Sequence, residues 1–217
     1  MDIMNAIRSR RSIRAYERRP VERAIVKELI EAAIMAPSGS NAQPWKFYVV
    51  TGQVRKELDV LLLSCMDEVL RYEDRQIGGR SGSHRTEFYQ ELNQFLSKHD
   101  TTIEQLFQNL LQYYDAPVVI IITMDDLVRE NTLATGAAIE NFLLAACESG
   151  LGACWITLPF MRTKSGAQKI RKHLNIPAGE KIISSIALGY PDELSTINSF
   201  KTSRDDLDSF VEWIGWD

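Results

Sequence analysis

The densest group of potential ligand-binding side chains lies near the start of the chain, in Arg8-Ser9-Arg10-Arg11-Ser12-Ile13-Arg14, which holds four arginines and two hydroxyls in seven residues. A guanidinium presents a planar fork of donors that matches phosphate oxygens, and a serine hydroxyl adds a further donor. Hydrogen bonds to charged groups contribute roughly 1.5–3 kcal/mol each, so three or four would hold a dianionic phosphate. Two readings stand open for these residues taken alone: an anion clamp, or a solvated basic end of a helix. A nucleic-acid arm is disfavoured, because no second basic stripe with interleaved aromatics follows. The second group is Ala36-Pro37-Ser38-Gly39-Ser40-Asn41-Ala42-Gln43-Pro44-Trp45. Its prolines fix the chain direction and Gly39 permits unusual backbone angles. Ser38, Ser40, Asn41 and Gln43 carry donors and acceptors suited to a polyhydroxylated or imide-bearing ligand; a plain polar turn is the alternative.

Other chemistries find little support. The sequence has no G-x-G-x-x-G, no Walker A loop and no H-E-x-x-H, and Gly79-Arg80-Ser81-Gly82 does not fit G-x-S-x-G. His84, His99 and His173 are scattered, so no metal site is expected. Cys65, Cys147 and Cys154 form no C-x-x-C; Cys147 and Cys154 read as small buried hydrophobes. Glu140-Asn141, inside an apolar helix, reads as an interface or capping pair.

The elements that must position these groups follow from periodicity. Helices are expected at 2–9, Val21–Met35, Val54 to about Arg71, Glu87–Leu96, Ile103–Tyr113, Thr132–Glu148, Lys164–Leu174 and Leu207–Trp213. Strands are expected at Lys46–Val50, Pro117–Thr123, Ala153–Thr157 and Lys181–Leu188. Pro117–Thr123 lacks polar alternation and reads as buried on both faces. Helix Thr132–Glu148 carries Ala134, Ala137, Ala138, Ala145 and Ala146, small enough for close packing in the core or across a dimer interface. The charged, Gly-rich stretch from Glu73 to about Gly82 reads as a surface loop or lid. Interleaved helices and strands imply layers of both types, an α+β or α/β sandwich.

The chain has 217 residues, 45% of them hydrophobic, and a formal net charge of −4. One domain spanning 1–217 is expected, with an insertion near 64–100 as its lid. The acidic balance favours neither nucleic acid nor membrane as partner. The longest apolar run, Pro117 to Ile122, falls far short of the ~20 residues that span a bilayer. The N-terminal residues lack the apolar stretch of a signal peptide, and the odd cysteine count suits a reducing, cytoplasmic setting.

Arg10-Arg11-Ser12-Ile13-Arg14, followed by the Ala36–Trp45 segment, resembles the FMN-dependent nitroreductase family. Gly150-Leu151-Gly152-Ala153-Cys154-Trp155-Ile156 resembles its third signature and Ala187-Leu188-Gly189-Tyr190-Pro191 its fourth. The resemblance implies a mixed, mainly antiparallel sheet sandwiched by helices, in a homodimer with FMN at the interface. By match to the motifs, Arg10, Arg11, Ser12 and Arg14 would hold the phosphate and ribityl chain. Pro37, Ser38, Gly39, Ser40, Asn41 and Gln43 would meet the flavin from the other subunit. Thr157 and Leu158 would set backbone groups beside the flavin ring, and Arg204, with Lys201 as helper, would reach the phosphate. No side chain is expected to act as a catalytic nucleophile, because the flavin carries the chemistry. The implied activity passes electrons from NAD(P)H to a small acceptor such as a nitroaromatic, quinone or enone. The same motifs are compatible with dehalogenases acting on iodotyrosine, with enzymes that fragment reduced flavin, and with a non-enzymatic flavin-binding regulator. Two departures are visible. No flavin-contacting Asn or Lys can be placed in Ser64–Ser97, and the position of Thr157 is often Gly or Glu in the family.

Overall fold

The longest apolar run becomes the second strand of a four-stranded sheet. In the computed structural model, which describes residues 2–77, 83–125, 131–161, 163 and 165–216, the strands are β1 (Trp45–Thr51), β2 (Val118–Asp125), β3 (Gly152–Ile156) and β4 (Glu180–Gly189). Their order is β1-β2-β4-β3 and every neighbouring pair is antiparallel. Among the described residues the one parallel contact is a bridge between Ser12 and Ala153 on the outer edge of β3, which makes the sheet mixed there.

Alternate residues of β2 feed two cores. Val118, Ile120 and Ile122 pack with Val26, Leu29 and Ala33 of α2 (Arg23–Ala33) and with Ile139, Phe142 and Ala146 of α7 (Asn131–Glu148). Val119 and Ile121 pack on the other face with α3 (Gly52–Leu63), α4 (Met66–Ile77), α5 (Ser83–Lys98), α6 (Ile103–Leu111) and α9 (Gly166–His173). The expected sandwich, with a central strand buried on both sides, is present. In α7 the alanines divide: Ala138 and Ala146 are fully buried, whereas Ala134, Ala137 and Ala145 are half-buried. Helix α6 starts on a capping box, in which Thr102 Oγ1 accepts from Gln105 N–H and Gln105 Oε1 accepts from Thr102 N–H.

Three expectations are corrected. The helix expected from Val54 to Arg71 is two helices, broken at Ser64 and Cys65, where the Ser64 hydroxyl turns back onto Leu61 O at 2.5 Å. A hydroxyl bonded to its own preceding turn bends a helix. Residues 73–77, expected in a loop, continue α4, while the Gly78–Gly82 stretch lies outside the described residues. The terminal helix at Leu207–Trp213 is only a single 3₁₀ turn, Leu207–Ser209. Leu207, Phe210, Trp213 and Ile214 are exposed, so no buried face supports a helix there.

The N-terminal arm that follows α1 (Ile3–Ser9) lies across the edge of the sheet, and two glycines make room for it. Gly152 and Gly189 face each other in the β3–β4 register. A Cβ on Gly152 would lie 2.7 Å from the Ile13 side chain, and one on Gly189 would lie 2.7 Å from Pro117 and 2.9 Å from Tyr16. Ile13 N–H donates to Ala153 O at 3.0 Å. The Tyr16 hydroxyl sits 2.7 Å from Ile13 O and 3.2 Å from Ala187 O. The arginine segment and the two glycine-bearing signatures therefore form one packed unit.

A buried ion pair lies under the start of α3. Arg55 meets Asp59 at 2.9 Å and donates to Gln112 O at 2.6 Å. Burial pushes the Asp59 carboxyl up to about 7 although Arg55 pulls it down. The folded state thus holds the Asp59 proton more tightly than the unfolded chain does. Its stabilising contribution is present below pH 3.8 and is lost as pH rises through 7.

Two outcomes are expected. Gly152→Ala should destabilise the protein by about 1–3 kcal/mol through overpacking against Ile13, read as a lower midpoint in denaturant; an unchanged midpoint would show that Ile13 yields freely. Asp59→Asn should flatten the fall in stability between pH 4 and 7 seen by thermal melts of the parent, and equal slopes would contradict the assignment.

Candidate functional site

Helix α1 ends at Ser9, and the next residues leave it in extended conformation along β3. This places the arginines at the mouth of a cavity of about 660 Å³. Its lining includes six cationic side chains, Arg8, Arg10, Arg11, Arg14, Lys201 and Arg204, with Ser9 and Ser12, and among the described residues no carboxylate. Six like charges converging on one space create a strongly positive potential, the requirement for a multiply charged anion. The arginines divide between the two readings of their segment. Arg8, in the last turn of α1, fits the basic helix end, where cations suit the helix dipole. Arg10, Arg11 and Arg14 lie beyond the helix and converge with residues from the far end of the chain.

Each cation is held differently. Arg10 Nε lies 3.2 Å from Glu140 on α7. Arg11 donates to Asn198 O at 3.1 Å, and Arg14 to Ser12 O at 3.3 Å. Arg204 donates to Thr202 Oγ1 and Ser203 O, both at 2.8 Å. Beside Arg14, Tyr114 sits in a run of three left-handed residues, Tyr113, Tyr114 and Asp115, with φ of 51°, 55° and 56°. Strain of this kind persists only where the surroundings enforce it. Burial raises the Tyr114 phenol above its ordinary range, partly opposed by the Arg14 charge. Burial likewise pushes the Cys154 thiol up, against the pull of Arg14 and Ser12, so Cys154 is a protonated, buried thiol. Cys147 is only half-buried and lies 3.5 Å from Ser9 Oγ.

Asn198 and Glu140 are the residues that sequence reasoning did not place here. The sequence suggests Glu140 and Asn141 as a pair, but the two diverge: Glu140 meets Arg10, whereas Asn141 Nδ2 donates to Ala32 O at 3.4 Å. Their i,i+1 spacing, which turns helix neighbours apart, was the available signal.

The second segment is a braced turn. Ser38 O accepts from Asn41 N–H and Ser38 Oγ accepts from Gln43 N–H, both at 3.0 Å. Ser40, Asn41 and Gln43 all adopt positive φ, at 51°, 56° and 46°. Gln43 Nε2 donates to Asn41 O at 3.4 Å, while no described residue makes a hydrogen bond to the side chains of Ser40 and Asn41. The turn is exposed from Gly39 to Gln43. None of its residues lines the cationic cavity.

Topology explains the separation. The turn leads into β1, one edge of the sheet, while the arginine arm lies against β3, the opposite edge. Three strand spacings, roughly 14 Å, separate the edges. The start of β1 and the end of β3 are nonetheless at the same end of the sheet, since Trp45 aligns through Met124 to Lys181 and Ile156 pairs with Ser185. Thr157 follows β3 at that end, four residues from Ala153 or roughly 13 Å along a strand. Its carbonyl accepts from Phe160 N–H at 3.0 Å, opening the short helix α8 (Leu158–Met161). One chain thus brings Arg10, Arg11, Ser12, Arg14, Lys201 and Arg204 together, sets Thr157 and Leu158 along the same edge, and leaves Pro37–Gln43 on the far one.

A sequence model of the nitroreductase family matches residues 7–190, from the arginine arm into the fourth signature. The chain belongs to the nitroreductase family. It is 28% identical over 228 residues to a 4-nitrobenzoate reductase of Pseudomonas putida, covering 100% of this chain and 97% of that protein. It is 32% identical over 231 residues to a 4-nitrobenzoate reductase of Nocardioides sp. (strain LMS-CY), covering 97% and 89%. Among solved structures, an FMN- and NADPH-dependent nitroreductase of Sphigopyxis sp. strain HMH superposes with a TM-score of 0.83 over 100% of both chains at 23% identity. That likeness establishes the nitroreductase fold for this chain.

Proposed function

We propose that this nitroreductase-family chain holds FMN and uses it to pass electrons from NAD(P)H to a small organic acceptor, a nitroaromatic foremost. The observation that carries the reading is the carboxylate-free cavity of six cations at the sheet edge. Its donors fit a phosphate-terminated cofactor: Arg10, Arg11, Ser12, Arg14, Lys201 and Arg204 would hold the phosphate, and Thr157 and Leu158 lie further along the same edge toward its ring. The relatives named for nitrobenzoate reduction, which match nearly end to end, support the choice of acceptor.

When bound, the flavin supplies the hydride chemistry, which needs no nucleophilic side chain. The protein's contribution is binding and orientation. The cationic cavity would fix the phosphate, and the braced, left-handed Ser38–Gln43 turn would present the side chains of Ser40 and Asn41 as preset donors and acceptors.

The turn would come from a second copy of the chain. Three features support a homodimer: the two half-sites sit on opposite sheet edges, the turn is absent from the cavity lining, and large apolar side chains are exposed on Ile3, Met4, Ile7, Met35, Leu133 and Trp216. Residues 1–217 would act as one flavin-binding domain. A cytoplasmic setting accords with three unpaired cysteines. Among the described residues, no helix is long and apolar enough to cross a membrane.

The purified protein should be yellow, and NAD(P)H should bleach it anaerobically until a nitroaromatic restores the colour. The double variant Arg10→Ala/Arg14→Ala should bind FMN roughly a hundredfold or more weakly, the loss of two charge-assisted hydrogen bonds. A colourless protein that ignores added FMN, or a double variant with parental affinity, would refute the proposal.

A further inference from the structure

The cations of the clamp come from two stretches almost 190 residues apart in sequence, and mutual repulsion acts to separate them. One buried side chain joins the stretches. After β4 the chain passes beneath the N-terminal arm, with Glu17 N–H donating to Tyr190 O at 2.9 Å and Asp192 N–H to Ala15 O at 3.1 Å. It then forms a short 3₁₀ turn, Thr196–Ser199, in which Asn198 is 8% exposed.

The Asn198 amide uses both of its donors and accepts two bonds, all with the backbone. Oδ1 accepts from Arg14 N–H at 2.7 Å and from Ala15 N–H at 3.2 Å. Nδ2 donates to Ala15 O and to Asp192 O, both at 2.9 Å. The main-chain carbonyl of Asn198 accepts from the Arg11 guanidinium at 3.1 Å. Two residues later, Phe200 is gripped by Phe95 and Phe88 of α5, with ring centroids 5.0 and 6.1 Å away. The chain then delivers Lys201 and Arg204 to the cavity. Asn198 thus fixes the backbone that carries Arg14, the head group of Arg11, and the root of the segment bearing Lys201 and Arg204.

We propose that Asn198 is a positioning residue of the anion clamp: without touching the ligand, it sets the spacing of the cations and hence the preference for a phosphate-bearing flavin. The inference rests on the flavin reading above. A side-chain amide suits the position because it donates and accepts while remaining neutral. A carboxylate there would face Ala15 O and Asp192 O without donors, and would offer Arg11 and Arg14 a competing anion.

The test compares FMN with riboflavin, which has the same ring but no phosphate. Flavin-free protein, parental and Asn198→Ala, is titrated with each by fluorescence quenching, and thermal midpoints are recorded without ligand. The parent should prefer FMN. In Asn198→Ala the ratio of FMN to riboflavin affinity should fall by about tenfold, the size of one well-placed charged hydrogen bond, with riboflavin affinity unchanged. Asn198→Asp should lower the ratio further, and Asn198→Ser serves if the alanine variant does not fold. Equal ratios in parent and variants, or equal losses for both flavins, would overturn the role of Asn198, as would failure of every variant to fold, which would make it a general determinant of the fold. A parent that binds neither flavin would instead defeat the flavin reading.

Discussion

The site depends on a close approach between backbones. Ile13 rests where a side chain on Gly152 would be, and Tyr16 rests where one on Gly189 would be. This contact seats the arginine arm on the outer edge of β3 and, with the Ser12–Ala153 bridge, fixes its register against the strand. The seat is neutral and apolar, so it does not compete with an anion for the guanidinium groups. Charge repulsion among the cations is opposed by packing and by amide hydrogen bonds, while Glu140, the carboxylate placed against Arg10, stands outside the cavity lining. The design separates the forces that hold the arm from the forces available to a ligand.

The sheet order sets the distance between the arm and the turn. An antiparallel arrangement of β1-β2-β4-β3 puts the arm and the Ser38–Gln43 turn at opposite edges while leaving the turn and Thr157 at the same end. A single chain therefore holds the arm and the turn apart, and under the proposed two-chain reading each would be one half of a site. The left-handed residues at 40, 41 and 43 make the turn's shape independent of a ligand, since Ser38 braces it from within. Preset geometry of this kind lowers the ordering cost of binding.

Much of this was legible in the sequence because it is local. The apolar run at 117–123, the 3.6-residue period of α2, the apolar, alanine-lined stretch that becomes α7, and the clustering of arginines needed no tertiary information. What escaped reading was long-range. Asn198 sits in a polar stretch with no periodicity, and its partners on the arm, Arg14 and Ala15, lie 184 and 183 positions away. The bend at Ser64 turns on where one hydroxyl points. The terminal segment from Leu207 has apolar residues at helical spacing, but Leu207, Phe210 and Trp213 are largely exposed, and spacing without burial does not make a helix. The glycines of the third and fourth signatures were visible as residues, yet the reason for them appears only when Ile13 and Tyr16 are seen above them.

Placing the two halves on opposite edges has a genetic consequence under the proposed two-chain assembly. Each binding site would draw its arginines from one copy and its turn from the other. Suppose one copy carries a damaged arm and the other a damaged turn. One site then collects both defects and the other collects neither. Two alleles that are inactive alone would restore function when co-expressed, up to one working site per mixed pair, whereas two lesions within the same half would not complement.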